Sequence, residues 1–198
     1  MHKKEILSIL FLGSLWGYYE VAVGGALYGV NVPYAGVFLS IIALGILGMA
    51  SKLIPRLGSA TLIAATASLF RLVNAGPHYC HLLAILLLGV GFDIAKSMVK
   101  REKPILIGIS GAYIGYVLFA FTITYLFRYH YWVSGGLPKV LRYVGINGTL
   151  AAMGGSVSVW LGYNLGKIIS NFLKGREKFA YTVAIGLIFI IWTVGKVL

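Results

Sequence analysis

The sequence predicts an all-α protein, a polytopic membrane bundle of about seven transmembrane helices. Of its 198 residues, 59% are hydrophobic and only 11% are charged, and its mean hydropathy is +0.89. A helix needs roughly 20 apolar residues to cross about 30 Å of hydrocarbon, and seven apolar runs approach that length. Runs such as HLLAILLLGVGF lack the alternation of a barrel strand, so helices are the expected spanning elements.

The predicted helices follow one another through short connections and form a single transmembrane domain, residues 1–198. The first lies in a run from Ile6 to Pro33 that contains one charged residue, and the third ends at a break marked by Gly76 and Pro77. The seven predicted spans are residues 6–28, 34–51, 57–75, 80–99, 104–127, 145–171 and 179–197.

The longest connection, residues 128–145, is rich in aromatic side chains and includes Trp132 and Tyr143. Aromatic residues of this kind form a belt at a membrane interface, and a gate over a binding site is the alternative interpretation. A short amphipathic helix is predicted from Pro138 to Tyr143.

Basic residues give the predicted orientation. The formal net charge is +12, from 17 Lys and Arg against 5 Asp and Glu. Twelve of the basic residues fall at one set of alternating helix ends and four at the other. Short cytoplasmic loops carry the excess of Lys and Arg, so the amino terminus is expected in the cytoplasm and, with seven spans, the carboxyl terminus outside. This distribution indicates a multi-pass protein of the cell membrane that contacts lipids and does not bind nucleic acid.

Two charges lie within predicted spans at similar depth. Glu20 on the first helix and Arg71 on the third both belong to the outer half of the bilayer. Ionisable residues inside a membrane are costly, so they are expected to face the bundle interior and to be functional or paired. They either hold parts of a ligand or form a buried ion pair. Asp93 differs, because Lys96 follows three residues later and indicates a local pair.

Other chemistry finds little support in the sequence. Cys80 is the single cysteine, which excludes an intrachain disulfide and a thiolate metal cluster. His78 and His81 are three residues apart and could ligate a metal or haem if they lay on one helix, but no carboxylate cluster accompanies them. No phosphate-binding loop, paired carboxylates or activated nucleophile is evident. We therefore expect neither catalysis nor a cofactor.

The chain resembles the substrate-binding subunits of energy-coupling factor importers. The resemblance rests on the small-residue stripe GSLWG, the uncharged loop LYGVNVPYAG and the segment RLGSATLIAATASLFRLVNAG. It implies a bundle of about six helices that binds a vitamin or metal ion near the outer face. It also implies docking through the first helix, at Gly13 and Gly17, onto a membrane coupling protein driven by ATPase subunits. The seventh helix, residues 179–197, is an addition to this pattern.

The expected function is the capture of a small, vitamin-like molecule for uptake. Glu20 would accept hydrogen bonds or face a cationic group, and Arg71 would hold a carboxylate or phosphate. The other expected binding residues are aromatic residues for stacking and polar residues near the mouth: Trp16, Tyr19, Trp160, Asn74, His78 and Asn147. Two alternatives remain, a structural or assembly subunit of a larger membrane complex with a buried Glu–Arg pair, and a haem or metal protein.

Overall fold

The computed structural model describes residues 3–76, 78–99, 103–175 and 177–197, and this part of the chain contains helices and no strand. The α-helices are α1 Lys3–Gly29, α2 Ala35–Leu53, α3 Ser59–Ala75, α4 Tyr79–Met98, α5 Pro104–Phe121, α6 His130–Val133, α7 Gly136–Tyr143, α8 Thr149–Phe172 and α9 Glu177–Gly195. Two π-helical segments, Thr122–Leu126 and Val144–Gly148, extend α5 and join α7 to α8. Pro77, which marks the predicted helix break, lies outside the described residues, as do Lys100, Arg101 and Arg176, three of the twelve basic residues that give the predicted orientation.

The structure contains long apolar helices, as the helical membrane bundle expected from the sequence requires. Within the described residues, five helical stretches are long and apolar enough to cross a membrane: Lys3–Gly29, Ala35–Leu53, Tyr79–Met98, Pro104–Leu126 and Gly136–Phe172. This is consistent with a multi-pass membrane protein. With 17 residues, α3 is only about 26 Å long at 1.5 Å per residue, so the count of seven spans stays a prediction.

Six helices close into a ring. Contacts run from α1 to α3, then to α4, α5, α8 and α2, and from α2 back to α1. The side chains at the centre are apolar and fully buried, among them Leu44, Leu47 and Ile63. Close approach depends on small residues: a Cβ on Gly48 of α2 would lie 2.6 Å from the carbonyl oxygen of Val159 on α8. Such glycines let helix backbones pack tightly.

The glycine stripe of α1 packs inside the bundle. A Cβ on Gly13 would lie 2.8 Å from the carbonyl oxygen of Ile63, and one on Gly17 would lie 2.6 Å from the Cβ of Phe70. Both neighbours belong to α3. The face that the resemblance assigns to a partner protein is therefore covered by α3, because the glycines serve the α1–α3 approach.

The additional helix α9 packs on α1, on the outside of the ring. Trp192 donates a hydrogen bond from Nε1 to Ser14 Oγ at 2.9 Å, and its ring meets Phe70 edge-on with centroids 5.0 Å apart. These contacts fix α9 against α1 and α3, so α1 has neighbours on several sides.

Asp93 connects α4 to the first turn of α3. Its Oδ2 accepts hydrogen bonds from the backbone N–H of Thr61 at 2.8 Å and from the Thr61 hydroxyl at 2.7 Å. A carboxylate at the amino end of a helix satisfies an orphan N–H and complements the helix dipole. The carboxylate therefore stabilises the start of α3, a partner that the Lys96 spacing did not reveal.

Candidate functional site

A cavity of about 220 Å³ opens between the helices at one end of the bundle. This end, here called the loop end, contains the carboxyl ends of α1, α3 and α5, the amino ends of α2 and α4, and the capping helices α6 and α7. The cavity is lined by Trp16, Glu20, Tyr28, Gly36, Leu39, Ser40, Cys80, His81, Ala84, Ile85, Leu88, Gly115, Tyr116, Phe119, Trp132 and Tyr143. Its wall thus combines aromatic and aliphatic surface with a few polar groups, as in small-molecule sites.

Glu20 is the charged group of this wall. It is 6% exposed on α1, and its Oε1 accepts a hydrogen bond from Trp16 Nε1 at 3.1 Å. The two residues are four apart, so they face the same side of the helix. The other oxygen, Oε2, lies 3.9 Å from Arg71 Nη1, beyond hydrogen-bonding distance, and the described residues give it no hydrogen bond.

Arg71 lies behind Glu20 and joins three helices. From α3, its Nη1 donates to the backbone oxygen of Glu20 on α1 at 2.9 Å, and its Nη2 lies 3.1 Å from His81 Nδ1 on α4. Arginine is always a donor, so His81 accepts at Nδ1. Arg71 does not line the cavity. The structure thus places Arg71 directly behind Glu20 and outside the cavity wall.

Aromatic side chains form the side of the cavity opposite α1. The rings of Tyr116 and Tyr143 stack with centroids 5.3 Å apart, and Trp132 meets Tyr143 edge-on at 4.9 Å and Phe119 at 5.5 Å. The Tyr116 hydroxyl lies 3.2 Å from Ser40 Oγ. Trp132 and Tyr143 come from the capping helices, so the aromatic loop covers the site, as the gate interpretation expects.

Five residues expected from the sequence lie outside this wall. Tyr19 is half-buried on α1, and Asn74 donates to the Phe70 carbonyl at 2.7 Å. His78 is exposed before α4, Asn147 lies in the second π-helical segment, and Trp160 is exposed on α8. The structure brings Trp16 and Glu20 together with Arg71 behind them, and it does not bring these five into the cavity.

Several lining residues were missed from the sequence. Tyr116 and Phe119 could most readily have been predicted from the sequence, because a spacing of three residues places both on one face of α5. Tyr28, Ser40 and His81 come from three different helices, and no local pattern brings them together.

The described residues contain no group of three or more His, Cys, Asp and Glu side chains arranged to hold a metal ion. The rings of His78 and His81 lie 6.1 Å apart between centroids, and one nitrogen of His81 faces Arg71. The histidine pair therefore offers no assembled ligand set within this part of the chain.

Comparison with protein-family models, curated proteins and solved structures finds no match to this chain.

Proposed function

We propose that this chain captures a small, vitamin-like molecule near the outer face of a cell membrane, and that a separate ATP-driven membrane module completes import. The observation that supports capture is the cavity at the loop end, with a buried Glu20 carboxylate on its wall and Arg71 held behind it. Glu20 Oε2 lies 3.9 Å from Arg71 Nη1 and accepts no hydrogen bond within the described part of the chain, so a ligand donor can bond it. The chain needs no catalytic group of its own for this role.

The loop end is proposed to face outward. The sequence assigns twelve basic residues to the other set of predicted helix ends and four to the set at the loop end, which favours that orientation by the positive-inside rule. In a Cys80→Ser background, Ser134→Cys is expected to react with a membrane-impermeant maleimide in intact cells. The matched control Lys174→Cys should react only after permeabilisation. Labelling of residue 134 from the cytoplasmic side alone would contradict the outward site.

The cavity gives a direct test of capture. Protein purified from its host membranes is expected to carry a small molecule that mass spectrometry detects. Ala84 lines the cavity, so Ala84→Leu should reduce the bound molecule at least tenfold, because the larger side chain occupies its space. Ala26 is exposed on α1, and Ala26→Leu is the matched control that should leave occupancy unchanged.

Equal occupancy in the two variants would contradict binding in this cavity. Size-exclusion profiles of both variants establish that each is folded, and the smaller change Ala84→Val provides a second, graded test.

A structural subunit of a larger membrane complex is the second candidate. The observation in its favour is that Arg71 and Glu20 already lie 3.9 Å apart as a buried pair, which holds α1 against α3 without any ligand. Under this alternative, purified protein carries no small molecule, and filling the cavity alters only stability.

A further inference from the structure

The size of the cavity restricts its ligand. Its volume is about 220 Å³, whereas sites for drug-sized ligands occupy about 300 to 1,000 Å³. An engineered cavity of about 150 Å³ in another protein binds benzene. The space between Glu20 and the tyrosine pair therefore suits one aromatic ring with a short substituent.

The charge balance restricts the ligand further. Glu20 is the only carboxylate or cation among the described residues that line the cavity, and the Arg71 guanidinium directly behind it supplies the opposite charge. A charged ligand would add an ion without a counterion to a desolvated site, which is strongly unfavourable. An uncharged ligand keeps the site neutral.

The hydrogen-bonding groups indicate what the ligand must carry. Glu20 Oε2 can only accept, so it needs a donor on the ligand. Across the cavity, Ser40 Oγ donates its proton to the Gly36 carbonyl at 2.8 Å, so the Tyr116 hydroxyl is the donor in its 3.2 Å hydrogen bond with Ser40. Neither hydroxyl has a second proton to donate, and Glu20 is therefore the group that selects the ligand. Tyr116 and Tyr143 offer stacked rings beside these groups.

We infer that the ligand is an uncharged, single-ring molecule that donates an N–H hydrogen bond to Glu20 and lies beside the stacked rings of Tyr116 and Tyr143. This inference rests on the capture function proposed above, and it specifies the class of molecule that the site accepts. Ring amides and amino-substituted nitrogen heterocycles have this combination of groups.

Four isosteric probes test each part of the inference: benzamide, acetophenone, benzamidinium and benzoate. They share one ring and a three-atom substituent, but they differ in charge and in the presence of an N–H donor. Binding is measured by ligand-observed NMR or calorimetry on the full chain in lipid nanodiscs, after the co-purified molecule has been removed. Benzamide is expected to bind at least tenfold more tightly than acetophenone, which lacks the donor, and at least tenfold more tightly than either ion.

Glu20→Gln gives a second readout. With the carboxylate removed, Arg71 is left without its counterion, so benzoate is expected to gain at least tenfold relative to benzamide. Ala84→Leu should abolish the binding of all four probes, which places them in the cavity. If Glu20→Gln does not fold, the ranking on the unaltered protein decides the question.

Tighter binding of benzamidinium or benzoate to the unaltered protein, or equal binding of acetophenone and benzamide, would overturn this ligand class while leaving capture intact. Failure of all four probes, when a co-purified molecule still depends on Ala84, would also overturn it without affecting capture. Capture itself fails only if no co-purified molecule depends on Ala84.

Discussion

Replacing Arg71 by glutamine is expected to lower the free energy of unfolding by roughly 3 to 5 kcal/mol, because it strands the buried Glu20 charge. The change also removes the hydrogen bonds from Arg71 to the Glu20 carbonyl and to His81. Combining it with Glu20→Gln should recover much of this stability, since no unpaired charge remains. Neither single variant nor the double variant is expected to bind the native ligand normally. Each one alters either the Glu20 carboxylate, which accepts the ligand hydrogen bond, or the Arg71 side chain that pairs with it.

Unfolding in detergent, followed with and without the co-purified molecule, measures both the loss of stability and the loss of ligand binding. A bound ligand stabilises by about 2.7 kcal/mol at a hundredfold excess over its dissociation constant, so loss of binding appears as loss of that shift. Arg142 is exposed on α7, and Arg142→Gln is the matched control for removing one positive charge. Normal ligand binding by the double variant would show that Glu20 is structural and would favour the structural-subunit alternative.

Replacing Gly13 by leucine is expected to disrupt the bundle at a cost of several kcal/mol. A side chain at this position meets Thr66 and the carbonyl oxygen of Ile63 on α3, and over-packed interfaces are destabilised because the backbone must move. Gly25 lies on the same helix with no atom within 4 Å of a built Cβ. Gly25→Leu is therefore the matched control, and it should retain or slightly raise stability through its better helix propensity.

The two variants also separate packing from docking. Thermal unfolding and size-exclusion profiles are expected to show loss of folded protein for Gly13→Leu alone. A Gly13→Leu protein that folds normally, binds its ligand and fails only to associate with a coupling partner would contradict the packing role. That result would restore the docking face implied by the resemblance to importer subunits.

The helices could be predicted from the sequence because hydrophobic length is a local property. The predicted span of residues 34–51 corresponds to α2 at Ala35–Leu53, and the amphipathic segment from Pro138 to Tyr143 lies within α7 at Gly136–Tyr143. The proximity of Glu20 and Arg71 along the bundle axis could be predicted for the same reason, since position along each helix sets the level of a side chain.

The direction in which a side chain points and the helix that packs beside it could not be predicted in this way. The glycines at 13 and 17 indicated a close helix approach, but not which helix would make it. The depth of Arg71 gave no information on whether its guanidinium would face a cavity or the backbone of α1. The hydroxyl pair joins Ser40 to Tyr116, 76 residues apart in sequence, so only the folded bundle brings its members together.

Ligand capture beside Glu20 is decided by an experimental structure of the protein, taken from its host membranes into lipid nanodiscs with its native small molecule retained. We expect density for a single-ring molecule between Glu20 Oε2 and the stacked rings of Tyr116 and Tyr143, with Arg71 still bonded to the Glu20 carbonyl. Its donor should lie about 2.9 Å from Oε2. A structure in which Arg71 bonds Oε2 directly and side chains fill the space between Glu20 and Tyr116 would contradict ligand binding in this cavity.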